Sequence, residues 1–325
     1  MPLVDSFGRL HRDLRISVTD RCNLRCDYCM PAEGMDWLPR EDLLTFEEIT
    51  RVARVLVARC GITSVRLTGG EPTVRARLPV LVGSLARLGV DLSLTTNGAT
   101  LAGLADDLAA AGLGRINISL DSLRPDRFEA LTRRAVLDDV LAGIDAAVAA
   151  DLHPVKVNVV PLRGVNDDEL AEFVQFGRDH RVEVRFIEFM PLDAQGAWTA
   201  ERVVRRDEVL AAVAERFRFT PLTRGHEPAE RFALDDGTAV FGVVASVTAP
   251  FCGACDRLRL TSDGMLRNCL FAHEDHDLRP VLRGGGSDDD LVAAVLGCVA
   301  EKRAGHGVGT ATFVPPPRPM SRIGG

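Results

Sequence analysis

What this 325-residue chain lacks narrows its function first. Aromatic residues make up 5% of it, so a surface that stacks single-stranded bases on rings has little to build with. Lysine and arginine number 39 against 46 acidic residues, a net charge of −7, and nonspecific nucleic-acid binding wants a basic face instead. No apolar run approaches membrane-spanning length, and Met1 to Arg12 lacks a signal-peptide pattern. Eight cysteines in tight clusters do not read as a secreted disulfide framework. The expectation is a cytoplasmic protein with reduced thiols and neither nucleic acid nor membrane as partner. Hydrophobic residues, at 46%, suffice for one large barrel plus an extension, or for two domains.

A fourth cysteine is missing twice. Cys22, Cys26 and Cys29 are spaced C-x3-C-x2-C directly after a strand-like run, Leu14–Thr19. Soft thiolates select zinc, copper(I) or iron–sulfur clusters. Structural zinc takes four protein ligands, and a [4Fe–4S] cluster normally takes four cysteines. Three thiolates leave one iron of a cubane open to a substrate or cosubstrate, a count suited to chemistry. A zinc knuckle with a distant fourth ligand is the plainer reading, but the spacing matches zinc sites poorly. The second set is Cys252 and Cys255, spaced C-x2-C, with Cys269 further on. His273 or His276 could complete a zinc site there, so zinc stays an alternative. Cys60 and Cys298 lie on apolar faces of helical patterns and read as core residues.

Up to about Met190, six strand-like runs alternate with helix-like ones. The strands are expected at Leu14–Thr19, Val65–Thr68, Leu92–Thr95, Ile116–Leu120, Val155–Pro161 and Val184–Phe189. The helices are expected at Phe46–Cys60, Leu78–Leu88, Leu101–Ala111, Asp138–Ala150 and Asp167–Asp179. This order implies parallel strands, as a partial barrel or a doubly wound sheet. Several strands alternate, although buried parallel strands usually run continuously apolar. Leu14, Ile16 and Val18 share one face; Arg15, Ser17 and Thr19 share the other. Arg66 and Thr68 are in phase, as are Asn117, Ser119 and Asp121, and Lys156 and Asn158; Arg185 faces away from Val184 and Phe186. One cation on one strand reads as a solvated end. Arg15, Arg66, Lys156 and Arg185 recurring on the polar faces imply a lumen that holds an anion, for which arginine forks suit phosphate.

Beyond Pro191 the pattern changes to a loop, a helix at Arg206–Phe217, and short strands from Arg231 to Thr248 around an Asp235-Asp-Gly237 turn. Arg257 and Arg259 lie at i and i+2 on one side of a strand-like run between the second cysteines. Gly284 to Asp290 leads into a helix N-terminus with acids suited to its dipole. Pro315 to Pro319 opens an extended tail, and such tails are usually disordered.

The C-x3-C-x2-C loop with Tyr28 before its last cysteine, followed by Thr68-Gly-Gly-Glu71-Pro72 after a strand, resembles the radical S-adenosylmethionine (SAM) superfamily. Adding Leu14 to Asn23, Phe186-Ile-Glu-Phe-Met-Pro191, the second cysteine set and the terminal Gly-Gly, the chain resembles the GTP 3′,8-cyclases of molybdenum cofactor biosynthesis over nearly its whole length. The fold then expected is α/β: an incomplete (β/α)6 TIM-type barrel over residues 1–191, and an α+β extension over 192–325 carrying a second cluster and the Gly-Gly tail.

The resemblance implies a lyase with two [4Fe–4S] clusters and SAM. Cys22, Cys26 and Cys29 would ligate the first cluster, and Cys252, Cys255 and Cys269 the second, whose open iron binds guanine. Tyr28, Gly70, Ser119 and Met190 would contact SAM. Arg15, Arg66, Thr95, Lys156, Arg257 and Arg259 would hold GTP, with Arg185 a further cationic neighbour. Arg257 and Arg259, with Gly324 and Gly325 reaching in from the tail, would serve catalysis. A hydrogen leaves C3′ of GTP, the ribose radical attacks C8, and reduction gives 3′,8-cyclo-7,8-dihydro-GTP. An external electron donor and a homodimer are also implied. The alternatives are a radical SAM enzyme with an auxiliary cluster acting on a peptide, and a zinc-stabilised binding module.

Overall fold

The computed structural model describes all residues from Met1 to Gly324 except Ala194, Gln195 and His226; Gly325 also lies outside the described residues. Six parallel strands stand side by side in chain order: β1 (Asp13–Ser17), β2 (Ser64–Thr68), β3 (Asp91–Thr96), β4 (Arg115–Ser119), β5 (Val155–Val159) and β6 (Glu183–Ile187). The helices along this half are α1 (Phe46–Cys60), α2 (Leu78–Ala86), α3 (Ala105–Ala110), α4 (Pro125–Thr132), α5 (Leu137–Ala149) and α6 (Leu170–His180). The expected strands are all present, shifted by one or two residues at their ends. The stretch from Leu101 is split into a 3-10 turn and α3, and α4 is additional.

Local chemistry explains where these elements start. Thr45 Oγ1 accepts from Glu48 N at 3.2 Å while Glu48 Oε2 accepts from Thr45 N at 2.8 Å, closing a capping box on α1. Gly61, at φ +78°, ends the helix in the left-handed region. The side chains that α1 buries, among them Ile49, Val52, Leu56 and Cys60, meet the apolar strand face of Leu14, Ile16, Val65 and Leu67 in one continuous core. Cys298 belongs to the same core, and burial pushes its thiol up to about 12.

The second half extends the same sheet. It contributes α7 (Arg206–Ala214), β7 (Phe219–Pro221), β8 (Glu230–Leu234), β9 (Val240–Val244), β10 (Arg257–Leu260), β11 (Met265–Arg267) and β12 (His276–Asp277). Then follow α8 (Arg279–Arg283), α9 (Asp288–Ala300) and a last turn, α10 (Met320–Ile323). Among the described residues the strand order is β12-β11-β10-β1-β2-β3-β4-β5-β6-β9-β8-β7. Thus β10 pairs parallel with β1 at one edge, and β9 pairs parallel with β6 at the other. The acids of the Gly284–Asp290 loop cap α9 and also pair with α1: Asp288 meets Arg51 and Arg54, and Asp289 meets Arg59. Among the described residues, no helix is long and apolar enough to cross a membrane.

Candidate active site

Register, more than any single residue, builds the site. Arg259 pairs with Arg15, Arg15 with Arg66, and Arg66 with Ser93 across four neighbouring parallel strands. Paired residues share a face, so three guanidiniums stand in one row. On the following strands Thr95 pairs with Asn117, Asn117 with Lys156, Ser119 with Asn158, and Asn158 with Arg185. The alternation read from the sequence therefore becomes one polar concave face.

This face lines a cavity of about 270 Å³. Arg15, Arg66, Thr95, Arg185, Arg257 and Arg259 all reach it, together with Cys252, Cys255 and Cys269 on one side and Tyr28, Ser119, Asp121 and Met190 on another. Burial and the like charge of its neighbours bear on the arginines. Arg259 is held well below its ordinary value by burial and by Arg15 and Arg257; burial likewise lowers Arg15. Nε of Arg15 has no hydrogen-bond partner, and its nearest carboxylate, on Asp13, is 3.6 Å away. A cation held only by one long ion pair, with a covered donor left over, favours an anionic ligand.

Two expected substrate contacts stand differently. Lys156 is buried in the row but is not among the residues lining the cavity. Burial and the charge of Arg185 lower it to about 8. Arg185 lines the cavity but is already bound, Nε to Glu183 Oε1 at 2.5 Å, so much of its charge is met within the protein.

The first cysteine loop is held by two strand exits zipped together. Gly70 N donates to Thr19 O, and Glu71 N donates to Arg21 O, both at 2.7 Å. A Cβ on Gly70 would fall 2.4 Å from Asp20 O, so only glycine allows this approach. Gly70 itself does not line the cavity; it sits against the backbone that leads into Cys22. Buried Glu71 accepts from Thr73, from Thr96 Oγ1 at 2.6 Å and from Asn97 N at 2.6 Å. Asn97 in turn points Nδ2 at Cys22 Sγ, 3.8 Å away. Burial and the neighbouring sulfurs raise Cys29 to about 12, and Cys26 is driven up for the same two reasons. These thiols are suited to ligand binding, in which a metal displaces the proton, and unsuited to free thiolate chemistry.

The tail is ordered against both thiol sets, contrary to the general expectation for such tails. The Ser321 backbone lies near enough to Cys29 to oppose the rise of its thiol. Arg259 Nη1 donates to Gly324 O. Gly324 adopts φ +85°, and a Cβ there would lie 2.4 Å from Thr68 Oγ1. Ile323 is buried beside Leu192 and Phe271. Gly325 lies outside the described residues.

The second trio is electrostatically different from the first. Burial alone would raise Cys255, but Arg257 and Lys302 outweigh it and bring the thiol to about 7. Arg257 Nε donates to Cys255 Sγ at 3.4 Å. The zinc alternative is not supported here. His276 Nε2 is 3.1 Å from Glu301 Oε2, and His273 Nε2 is 3.1 Å from Val314 O. Among the described residues no three His, Cys, Asp or Glu are spaced to hold one metal ion. Ligands of a single zinc crowd within bonds of about 2.0–2.3 Å. Thiolates on different irons of one cluster stand further apart than the ligands of one ion.

Several residues of the site carried no signal in the sequence. Asn268, Phe251 and His306 line the cavity beside the second trio, and Met320 lines it from the tail. Arg9, His11 and Lys302 lie behind that trio. Each is an isolated polar or apolar residue within an ordinary stretch.

Comparisons with known proteins fall on the same two regions. The Radical SAM superfamily profile matches residues 16–177, and the Molybdenum Cofactor Synthesis C profile matches residues 182–308. A GTP 3′,8-cyclase of Streptomyces coelicolor is 50% identical, covering 99% of this chain and 96% of the relative. Another from Rhodopirellula baltica is 48% identical over 99% of this chain and 92% of that one. Streptococcus suis SuiB bound to the precursor peptide SuiA superposes with a TM-score of 0.62 at 14% identity, covering 91% of this chain and 69% of SuiB. At that identity the likeness extends to the fold alone.

Proposed function

The chain belongs to the GTP 3′,8-cyclase family of radical SAM enzymes, and on that premise we propose how its own residues carry the conversion of GTP to 3′,8-cyclo-7,8-dihydro-GTP. The observation that carries the reading is the row Arg259–Arg15–Arg66 along a cavity that Cys252, Cys255 and Cys269 also line, with Tyr28 of the first cysteine loop. We read the sheet as an incomplete barrel over residues 1–191, with 192–325 as the extension bearing the second cluster.

Cys22, Cys26 and Cys29 would hold the first [4Fe–4S] cluster, and Cys252, Cys255 and Cys269 a second. When bound, the first would supply the electron that SAM cleavage needs, and the second a binding point for the guanine base. Tyr28, Ser119 and Met190 border the SAM side of the cavity, and Gly70 supports the cysteine loop from behind. Arg15, Arg66, Arg257 and Arg259 grip the triphosphate, with Thr95 and Arg185 at its margin. Lys156 adds charge from behind. Held at both ends, the ribose keeps C3′ and C8 in reach of each other, an advantage of orientation. Arg257 and Arg259 keep positive charge on the bound nucleotide as the base is reduced. The seated tail borders the cavity at Met320 and meets Arg259 at Gly324.

The same reading includes an external electron donor, a cytoplasmic location and a homodimer, all by family resemblance. A peptide substrate fits the arginine row poorly. The test is anaerobic incubation with SAM, GTP and a reductant. Appearance of 5′-deoxyadenosine with a cyclised nucleotide supports the reading; 5′-deoxyadenosine with GTP unchanged sinks it.

A further inference from the structure

Lys302 lies just past α9 and is 4% exposed, yet none of the described carboxylates lies within ion-pair distance of it. Buried lysines are rare unless paired. Its Nζ faces acceptors: Arg257 O at 3.1 Å, Cys255 O at 3.3 Å, His11 Nδ1 at 3.5 Å and Cys255 Sγ at 3.7 Å. An ammonium has three donors and no acceptor, so this surrounding suits the charged form.

The far side of His11 fixes the direction of the chain. His11 Nε2 is 3.1 Å from Asp5 Oδ2, which accepts, so Nε2 carries the proton and Nδ1 offers its lone pair to Lys302. Asp5 also accepts from Arg9 Nε at 2.6 Å, and Arg9 Nη1 donates to Cys252 O at 2.8 Å. A short N-terminal hairpin thus grips the backbone of Cys252 and aims one ammonium at Cys255. Arg257 approaches the same sulfur at 3.4 Å from the cavity side. Burial lowers Lys302, and the sulfurs of Cys255 and Cys269 are the nearest groups that oppose this.

We propose that Lys302 is a positioning residue for the second cluster: a buried cation, oriented by His11 and Asp5, that favours the reduced state of the cluster through Cys255 without touching GTP. The proposal rests on the reading that Cys252, Cys255 and Cys269 hold a [4Fe–4S] cluster. Added negative charge on reduction is stabilised by a nearby cation in a region of low dielectric, so losing that cation lowers the potential.

The test uses the full chain with Cys22, Cys26 and Cys29 replaced by alanine, reconstituted anaerobically so that only the second cluster is loaded. Iron content is measured first, then the midpoint potential by redox titration followed by electron paramagnetic resonance. Lys302→Met is expected to lower the ratio of reduced to oxidised cluster at least tenfold at a given potential, a shift of about 59 mV for one electron. Lys302→Arg is expected to restore it. Lys302→Gln keeps a donor for the two carbonyls without the charge, and serves if the methionine variant fails to fold. A purely structural role would lower iron occupancy or melting temperature in these variants and leave the midpoint where it was. An unchanged midpoint in Lys302→Met or Lys302→Gln overturns the proposal. No iron in the parent protein overturns the cluster reading itself, and the proposal with it.

Discussion

Arg259 on β10 donates to the carbonyl oxygen of Gly324. This bond joins the strand next to the second thiol set to a tail that passes Cys29 of the first at Ser321. The two cysteine sets are therefore bridged by the last few described residues of the chain, as well as by the sheet.

Gly324→Ala should unseat that coupling. A Cβ would meet Thr68 Oγ1 at 2.4 Å, and φ +85° suits few residues other than glycine. Turnover is expected to fall by about tenfold or more, a barrier increase of about 1.4 kcal/mol, with iron content and GTP affinity nearly unchanged. Steady-state rates beside calorimetric GTP titration would check it; parental turnover would count against a role for the seated tail.

Arg15→Ala should weaken GTP binding specifically through phosphate. Arg15 is half-buried, and its covered Nε makes no hydrogen bond, only a 3.6 Å ion pair with Asp13. Losing a charged hydrogen bond of about 1.5–3 kcal/mol corresponds to roughly a ten- to hundredfold rise in Kd. Guanosine affinity should not change. Equal losses for guanosine and GTP would show that the residue acts on the fold instead.

Glu71→Gln should release the first cysteine loop. The carboxylate accepts from Thr73, Thr96 and Asn97, and an amide would place its own hydrogens against some of these donors. A loss of about 1–3 kcal/mol in unfolding free energy is expected. Because Asn97 leads to Cys22, iron should be lost from the first set before the second. Iron counts in single-cluster cysteine variants would show the order.

Lys156 makes two pH-dependent contributions of opposite sense. Its folded value, about 8, lies below the ordinary 10.5, so the folded state binds fewer protons between those limits. Stability of the ligand-free protein should therefore rise with pH from about 8 to about 10.5, by this group's share. Its charge, and with it GTP affinity, should fall as pH passes about 8. Lys156→Met should flatten both trends. Thermal melts and GTP titrations across pH 7–10 would read them, and parallel curves for parent and variant would refute the assignment.

Local rules made much of this legible. Thr45 and Glu48 announce α1, and the in-phase Arg15, Arg66, Ser119 and Asn158 announce a polar face, because capping and alternation are written in neighbouring residues. The pairing of β10 with β1 was not legible, since parallel register between residues some 240 apart leaves no mark in either strand. For the same reason Lys156 read as a cavity residue: phase gives the face, and only the packed sheet gives the depth. Helix α4 begins at Pro125 after a loop and has a short apolar side, Phe128 and Leu131, too brief to show a period. Lys302 and His11 carried no pattern; a lone charged residue in sequence reads as surface until its neighbours are known.

The alignment of Arg259, Arg15 and Arg66 on hydrogen-bonded strands makes the sheet a ruler, with rungs about 4.8 Å apart. A ruler tolerates no half marks. A one-residue slip of β10 against β1 would turn Arg257 and Arg259 to the opposite face and carry Leu258 and Leu260 out of the core. One such error would take two cations from the cavity and two leucines from the packing at once.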